Sequence, residues 1–195
     1  MGLFDKKYCD VCGEKIGVLG NRKLEDANLC KKCAAKLSPF MTDRRKTTLA
    51  DIKEHLAYRE ANLTEVRSFT VNKAYGERQK LCIDESSAKF IVTQSGNWAN
   101  ENPDVISLSQ VKACSSEIKE YKNEVKMKDK DGNMLSFNPP RYDIEYDFYL
   151  YIEVDSPWFN KISIKVNDKR VEAQNPVRYS EIDKLVSEMK VALKG

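Results

Sequence analysis

Four of the six cysteines form two close pairs within the stretch YCDVCGEKIGVLGNRKLEDANLCKKC. The spacing is C-x2-C-x17-C-x2-C, and the pairs are Cys9 with Cys12 and Cys30 with Cys33. Two residues between cysteines allow both sulfurs to face one ion across a tight turn, and two such turns complete a tetrahedron. The spacing therefore predicts a metal site with four thiolate ligands.

Zinc is the ion that this spacing favours. Because the protein supplies all four ligands, no coordination position would remain for a substrate, so we expect the zinc to be structural. Iron stays open as an alternative, since a tetrahedron of four thiolates also suits it. Two disulfides would need an oxidising compartment, and a redox-active dithiol would need only one pair; both stay open as well.

The residues around the cysteines indicate how the site is built. Gly13 allows the left-handed backbone that turns amide groups toward the sulfurs. The stretch KIGVLGNRKL predicts a small hairpin that turns at Gly20-Asn21, and CKKCAAKL predicts the first turns of a helix whose free amides face the second pair. A knuckle, a hairpin and a helix are the parts of a treble-clef or zinc-ribbon module. A segment of about 40 residues buries little apolar surface, so metal binding would supply much of its folding free energy.

The polar stretch SPFMTDRRKTT marks a boundary in the chain. We expect a zinc-binding module over residues 1–40, a linker and connecting helix over residues 41–67, and a β-rich domain over residues 68–195. The expected fold class is α+β: the zinc module and connecting helix precede an antiparallel sheet or partly open barrel that a C-terminal helix closes.

The connecting helix is expected over about residues 48–66, with Thr47 or Thr48 as its N-cap. Its apolar residues recur at helical spacing and are Leu49, Ile52, Leu56, Leu63 and Val66. We expect this stripe to pack on the following domain, and self-association through the stripe is the alternative. His55, the only histidine, lies among charged residues on this helix, so we expect its side chain to be exposed and to have no catalytic role.

Between residues 68 and 172 the pattern changes to the alternation of short strands. We predict strands in TVNKAY, KLCIDE, KFIVTQ, VISLSQV, ACSSEIKEY, NMLSF, YDFYLYIEVD and KISIKV. Asp131-Gly132 predicts a turn, and NPPRYD breaks the pattern again. Residues 144–155 alternate most clearly and should form a hairpin with residues 161–166. The inner face of this hairpin would be apolar, and acids would meet lysines on a solvated outer face.

The chain ends in NPVRYSEIDKLVSEMKVALKG, which predicts an amphipathic helix capped by Ser180. The apolar face that would cover the core of the β-rich domain consists of Ile182, Leu185, Val186, Met189 and Leu193. Cys82 and Cys114 fall in predicted strands, and we expect both to be small core residues.

No catalytic constellation emerges from the sequence. With one histidine in the chain, imidazole-based activation of a nucleophile has almost no candidates, and with 8 glycines no spacing fits a phosphate-binding loop. We therefore expect the protein not to be an enzyme. The chain has no apolar run of about 18 residues, and its N-terminus lacks the apolar stretch of an export signal. We expect a cytoplasmic protein without a membrane partner.

Basic character is mild and local. The formal net charge is +3, and residues 1–46 hold 11 Lys and Arg against 6 Asp and Glu, which gives +5 for this segment and −2 for the rest. The basic residues that could contact phosphates are Lys31, Lys32, Lys36, Arg44, Arg45 and Lys46. Nucleic-acid binding through the zinc module is therefore an alternative function.

The segment MGLFDKKYCDVCGEKIGVLGNRKLEDANLCKKCAAKLSPF resembles the N-terminal module of an uncharacterised bacterial family, described as a zinc-ribbon domain of unknown function. The stretches FIVTQ, NPDVISLSQVKAC and YDFYLYIEVDSPWFNKISIKVN look like the part that follows this module in the family. That part is similar in strand order to bacterial pleckstrin-homology-like or GRAM-like domains, in which a C-terminal helix closes a curved antiparallel sheet. The resemblance implies zinc and a bacterial cytoplasm, and it implies no known activity.

These features together favour a non-enzymatic, zinc-binding adaptor or regulatory protein. The zinc at Cys9, Cys12, Cys30 and Cys33 would be structural, and the β-rich domain would bind a protein or peptide partner. A nucleic-acid-binding regulator that uses the basic zinc module is the alternative. A further alternative is contact between the β-rich domain and lipid headgroups.

Overall fold

The computed structural model describes residues 6–194. Residues 1–5 and 195 lie outside the described part. The expectation about an export signal concerns the start of the chain and so rests partly on residues that are not described. The strands and helices in chain order are β1 (Lys7–Tyr8), β2 (Lys15–Ile16), α1 (Lys31–Ala34), α2 (Leu49–Ser68), β3 (Lys73–Tyr75), β4 (Lys80–Asp84), β5 (Lys89–Thr93), β6 (Ile106–Ser107), β7 (Val111–Lys128), β8 (Met134–Val154), β9 (Lys161–Lys165), β10 (Val171–Glu172) and α3 (Pro176–Ala192). Short 3-10 helices lie at Arg44–Lys46, Trp98–Asn100 and Leu108–Gln110.

The main core lies between two four-stranded antiparallel sheets and helix α3. One sheet has the order β3-β4-β5-β6, and in the other β8 pairs with β7 along one edge and with β9 and β10 along the opposite edge. The prediction of a mixed fold with antiparallel sheets and a C-terminal helix is confirmed. Over residues 6–194 the two sheets do not join into a closed barrel. The largest fully buried side chains of this core include Leu81, Ile83, Phe90, Phe148, Leu150, Ile152, Ile162 and Ile164.

The predicted hairpin at the C-terminal end of β8 is confirmed. Leu150 lies opposite Ile164 and Ile152 opposite Ile162, so the alternating apolar residues share the inner face. The prediction of a fully solvated outer face is wrong at Asp147, which is buried. Its carboxylate lies 2.8 Å from Lys165 Nζ, and an ion pair of this kind allows a charged group to lie below the surface.

Strands β7 and β8 are much longer than the alternation predicted, at 18 and 21 residues. The prediction that NPPRYD breaks the pattern is wrong, because β8 runs through this stretch. Val125 pairs with Arg141, and the next pair is Lys126 with Ser136, so residues 137–140 bulge out of the ladder without ending it. No residue between 118 and 144 is buried. We call residues 118–144 the β-arm, since this part of the β7–β8 hairpin extends beyond the core.

Helix α3 begins earlier than predicted. Its N-cap is Asn175, whose side-chain oxygen accepts a hydrogen bond of 3.0 Å from the amide of Arg178, and Pro176 occupies the first helical turn. Proline suits that position because its missing N–H would have no partner there. The prediction of Ser180 as the cap is therefore wrong. The predicted apolar face does cover the core, with Ile182, Val186, Met189 and Leu193 buried.

Helix α2 matches the predicted extent, and Thr48 caps it through a capping box with Asp51. The expectation that its apolar stripe packs on the following domain is wrong for the first half of the helix. Leu49, Ile52 and Leu56 instead pack against the core of the cysteine-bearing segment. The connecting helix and the cysteine-bearing segment therefore share one hydrophobic cluster.

A row of polar residues on α2 is buried. His55, Arg59 and Asn62 are each less than a tenth exposed. The expectation that His55 is exposed is therefore wrong: its Nε2 accepts a 2.9 Å hydrogen bond from the backbone amide of Ser38. Burial is possible because most groups on this row have hydrogen-bond partners on the two neighbouring segments; Nδ1 of His55 has none among the described residues.

The second partner of this polar row is the loop before β6. Arg59 Nη1 donates to Asp104 Oδ1 at 2.7 Å, and Ser38 Oγ donates to Asp104 Oδ2 at the same distance. Asn62 Nδ2 donates to the side-chain oxygen of Asn102 at 2.7 Å, and Asn102 in turn donates to the carbonyl of Arg59 at 2.9 Å. We call Ser38, His55, Arg59, Asn62, Asn102 and Asp104 the buried polar network. It connects the cysteine-bearing segment, the connecting helix and the β-rich part of the chain.

Candidate metal centre

The structure brings the four paired cysteines together. The Sγ atoms of Cys9, Cys12, Cys30 and Cys33 all lie within 4.8 Å of one another, and those of Cys12 and Cys30 are 3.7 Å apart. A tetrahedron with zinc–sulfur bonds of about 2.3 Å places its sulfurs roughly 3.8 Å apart. Cys12 is exposed and the other three cysteines are buried. The spacing of the sulfurs is therefore close to that of a four-thiolate zinc site.

The first cysteine pair lies in the turn of a two-stranded hairpin. β1 pairs with β2 in the register Lys7 to Ile16 and Tyr8 to Lys15, and the pair lies in the turn between them. Gly13 has a φ of +73°, and its amide donates to the carbonyl of Cys9 at 2.7 Å. The predicted left-handed backbone at this glycine is confirmed. It closes the turn that brings the two sulfurs to one side.

The hairpin predicted between the two cysteine pairs is wrong. β2 pairs back with β1 rather than forward, and the chain turns at residues 17–20, where the Gly20 amide donates to the Gly17 carbonyl at 2.8 Å. The stretch does contain a turn, but this turn lies at residues 17–20 rather than at Gly20-Asn21, and the strand that pairs with β2 precedes β2 instead of following the turn.

The second cysteine pair begins a very short helix. Cys30 is the N-cap of α1, and its sulfur accepts a hydrogen bond of 3.4 Å from the amide of Cys33. The amide of Cys30 donates to the sulfur of Cys9 at 3.3 Å. Backbone amides therefore reach the sulfurs as predicted, although the helix is a single turn of four residues rather than the longer helix expected from CKKCAAKL.

Hydrogen bonds of Asp10, Asn21 and Asn28, which are not metal ligands, join the two cysteine pairs. The amide of Asn28 donates to the carboxylate of Asp10 at 2.7 Å, and the amide of Asp10 donates to the carbonyl of Asn28 at 2.9 Å. The side chain of Asn21 donates to the side-chain oxygen of Asn28 at 2.7 Å. These bonds hold the first knuckle beside the second. An acid between the paired cysteines and an asparagine before the second pair are the sequence features that could have indicated this contact.

The thiols of the cluster differ in their readiness to ionise. Burial opposes ionisation of Cys9, but hydrogen bonds from the backbone amides of Cys12, Cys30 and Val11 outweigh it and lower the pKa of Cys9 to about 6. Burial raises the pKa of Cys33, and its hydrogen bonds to the neighbouring sulfurs raise it further. A metal ion must displace the protons of such thiols when it binds, so metal affinity at this site depends on pH.

The donor set fits zinc and leaves no open position. All six cysteines are free of disulfide bonds, so the four clustered sulfurs are available as ligands. The segment around them has a small core of its own, formed by the cysteines with Ile16, Leu24, Leu29 and Ile52. A bound ion would therefore cross-link two turns that already pack on a few apolar side chains. Such a site stabilises a fold and does not bind a substrate at the metal.

The remaining cysteines lie away from this cluster. Cys82 is buried beside Phe69 and Ile91, which confirms it as a core residue. Cys114 is half-buried and packs against the main core. Burial raises the pKa of both thiols, which keeps them protonated and apolar.

The six basic residues singled out in the sequence do not all have the same surroundings. Lys32 forms an ion pair with Glu14 at 3.0 Å, and Lys46 lies 3.8 Å from Asp43. Arg44 and Arg45 instead border a shallow cleft together with Arg22 and Lys23. Arg22 was missed in the sequence because it lies 22 residues before Arg44, and only the fold brings the two together.

Comparison with known proteins gives one match. Residues 7–55 match the profile of a protein family described as Domain of unknown function (DUF4428). This segment contains the four clustered cysteines and the first part of α2. Searches of curated proteins and of solved structures each found no match. The matched segment is therefore a domain of this family within a longer chain.

One further property concerns membranes. Among the helices within residues 6–194, none combines the length and the apolar character needed to cross a bilayer.

Proposed function

We propose that this protein is a non-enzymatic adaptor or regulatory protein in which structural zinc organises the N-terminal module and a protein partner binds near it. The observation that carries this proposal is the cluster of four cysteine sulfurs within 4.8 Å of one another. Four thiolates saturate zinc, so the ion would fix the shape of the module rather than activate a substrate. A module held in this way can present its surface to another macromolecule.

The buried polar network supports an adaptor function. It joins the module to the β-rich part through charged and amide groups that are buried, and such groups require well-defined geometry. The two parts are therefore held in a fixed relative orientation. An adaptor needs such an arrangement when two surfaces must meet one partner at the same time.

A cleft beside the metal centre is the surface that we assign to the partner. It has a volume of about 450 Å³ and lies between α2 and one cysteine of each pair, Cys12 and Cys33. Val11, Leu56 and Leu63 supply apolar side chains to its wall, while Lys36 and Glu60 lie at its border. An apolar centre with a charged rim is the usual composition of a site for a protein side chain.

The experiment is affinity capture with the zinc-loaded full chain as bait. A Leu63→Glu variant would place a charge in the apolar wall, and Ala61→Glu adds the same charge at an exposed position of the same helix. We expect proteins captured by the wild type to be lost from Leu63→Glu and kept by Ala61→Glu. If both variants capture the same proteins as the wild type, the cleft is not the docking site. If the purified protein turns over a metabolite at a rate that one carboxylate substitution abolishes, the non-enzymatic assignment is wrong.

A second candidate function is nucleic-acid binding, and a cluster of arginines favours it. Arg22, Arg44 and Arg45 lie together at one cleft. Partial burial and then the positive charges of Arg22 and Arg45 lower the pKa of Arg44. The Nε of Arg44 is buried, and no atom of the described residues accepts a hydrogen bond from it. A phosphate group would supply both the missing acceptor and the missing negative charge.

Salt dependence tests this second candidate. Binding of a labelled oligonucleotide should fall steeply as salt concentration rises, and the double variant Arg44→Ala, Arg45→Ala should weaken binding and flatten the slope. Lys53→Ala with Arg67→Ala is a matched control, because it removes two exposed positive charges elsewhere on the chain. Absence of binding at low salt would exclude the candidate.

A further inference from the structure

Strand β7 forms one edge of its sheet over its whole length of 18 residues. One side of β7 pairs with β8, and within residues 6–194 no strand pairs with the other side. An unpaired edge presents a row of backbone N–H and C=O groups that can hydrogen-bond another strand. The part of this edge that lies in the β-arm extends beyond the core and can be approached by another molecule.

The side chains along this edge alternate in charge. From Ile118 to Lys128 the strand reads IKEYKNEVKMK, so lysines and glutamates follow one another closely. Lysines on an edge strand normally repel a second strand. Here the intervening glutamates make the outcome depend on register, because a lysine can face either a lysine or a glutamate of the other strand.

Symmetry limits the registers that are available to a second copy of this chain. Directly opposite residues of an antiparallel pair have side chains on the same face of the sheet. When two copies of one strand pair around a twofold axis, one residue therefore faces its own copy, and the axis passes between these two residues. We name each possible axis after that residue. Axes at Glu117, Lys119, Glu120, Lys122 and Glu124 would place a charge against itself and are disfavoured.

Three axis positions in this part of β7 avoid every like-charge pair, namely Ile118, Tyr121 and Asn123. The axis at Ile118 places Glu117 opposite Lys119, and the axis at Tyr121 places Glu120 opposite Lys122. Each of these axes therefore gives one kind of opposite-charge pair where β7 pairs regularly with β8. A second kind of opposite-charge pair at the Ile118 axis would join Lys112 to Glu124, but Lys112 bulges out of the β7–β8 ladder. The axis at Asn123 gives two kinds of opposite-charge pair, so its charges are the most complementary of the three axes.

The Asn123 axis also fits the shape of the molecule. Glu120 would face Lys126 of the second copy and Lys122 would face Glu124 of the second copy, and symmetry produces each pair twice. Glu120 and Lys122 already form an ion pair of 3.0 Å within one chain, so the new pairs would extend an existing row of alternating charges. The overlap would cover residues 118–128, which belong to the β-arm, so the two cores would remain apart.

We propose that the β-arms of two copies of this chain pair antiparallel through β7 with Asn123 on the twofold axis. The product is a continuous four-stranded sheet in the order β8-β7-β7-β8. In this sheet Tyr121, which is half-buried in one chain, faces Val125 of the second copy, which is also half-buried. The partner of this surface is thus a second copy of the chain, recognised by charge alternation and backbone hydrogen bonds. This proposal is independent of the adaptor function.

The first test is a charge exchange followed by sedimentation velocity. The wild type should be a dimer, and Glu120→Lys or Lys126→Glu should weaken dimerisation at least about tenfold because each creates two like-charge pairs. An equimolar mixture of the two variants should form a heterodimer, and the double variant in one chain should again form a homodimer. Lys53→Glu is the control, since it changes charge on an exposed face of α2 and should leave the dimer unchanged.

The second test reads the register directly. An Asn123→Cys variant should form an intermolecular disulfide under a mild oxidant, because two residues on the axis of an antiparallel pair have nearby Cβ atoms. Tyr121→Cys should not, since Tyr121 does not face its own copy in this register. A wild type that is monomeric at high concentration, a dimer that is unaffected by both charge variants, or cross-linking of Tyr121→Cys in place of Asn123→Cys would overturn the proposal.

Discussion

The guanidinium group of Arg59 and the carboxylate of Asp104 form an ion pair of 2.7 Å whose side chains are only 7% and 0% exposed. Arg59 lies on the connecting helix, and Asp104 lies on the loop before β6, 45 residues further along the chain. The same carboxylate accepts a hydrogen bond from Ser38, which belongs to the cysteine-bearing segment. Three segments of the chain therefore meet at one buried charge.

Removal of the arginine should destabilise the protein strongly. In Arg59→Met the carboxylate of Asp104 would stay buried without its counter-ion, which typically costs about 3–5 kcal/mol. Lys112→Met is the control, because Lys112 pairs with Asp155 in an exposed position and should leave the free energy of unfolding within about 1 kcal/mol of the wild type. Urea unfolding measures both values. A similar small loss in the two variants would show that the buried pair does not stabilise the fold.

His55 should make stability depend on pH. Burial lowers the pKa of His55 to about 4 from its ordinary value of 6.5, with the charge of Arg59 contributing in the same direction and that of Asp104 opposing it. Between pH 6.5 and about 4 the unfolded chain binds a proton that the folded chain does not, so the free energy of unfolding falls as pH falls through this window. The loss should be on the order of 3 kcal/mol.

A His55→Gln variant isolates this effect. The glutamine oxygen can accept the hydrogen bond of the Ser38 amide but does not titrate. The metal centre also loses affinity in acid, and this loss is common to both proteins. The difference in unfolding free energy between the wild type and the variant should therefore change through the window and be constant above it. A difference that is independent of pH would contradict the assignment.

Loss of one cysteine ligand should release the metal. We expect one zinc ion per wild-type chain by elemental analysis, and Cys30→Ser should abolish stoichiometric zinc because Cys30 belongs to the cluster. The melting temperature should fall by roughly 10 °C, which corresponds to about 3 kcal/mol in a chain of this size. Cys82→Ser should keep its zinc, since Cys82 lies in a separate hydrophobic cluster. Zinc retained in Cys30→Ser would remove Cys30 from the ligand set.

Gly13 should resist substitution because of its backbone conformation. Gly13→Ala would force a side chain into the left-handed region at a φ of +73°, which costs about 1–2 kcal/mol. A Cβ at this glycine meets no atom within 4 Å, so the cost would come from conformation and not from a clash. Gly96→Ala is the control, since Gly96 has open space and no positive φ. Zinc affinity measured by competition with a chromophoric chelator should fall for Gly13→Ala alone.

Features that follow from local spacing were predicted from the sequence. The C-x2-C pairs indicated the cluster, Gly13 indicated the left-handed turn, and alternation in residues 144–155 indicated the hairpin with β9. In each case the signal and the structure that it specifies lie within one short segment of the chain. Apolar periodicity also located α2, because burial of one helix face is a local pattern.

Features that depend on distant partners were missed. His55, Arg59 and Asn62 follow the spacing of a buried helix face, but polar side chains at that spacing normally indicate solvent. Their burial depends on hydrogen bonds to Ser38 and to the loop around Asp104, which no local pattern shows. The full length of the β-arm was not predicted for a related reason: its strands have no buried face, so only parts of them show the alternation by which strands are recognised.

Ser38 lies only five residues after Cys33, and it donates hydrogen bonds to both His55 and Asp104. If the cysteine-bearing segment unravelled, the histidine nitrogen and the aspartate would each lose a partner inside a region that water does not reach. Melting of the small segment would thus weaken the large one. Calorimetry of the zinc-loaded chain should accordingly show a single heat-absorption peak, with both halves lost together.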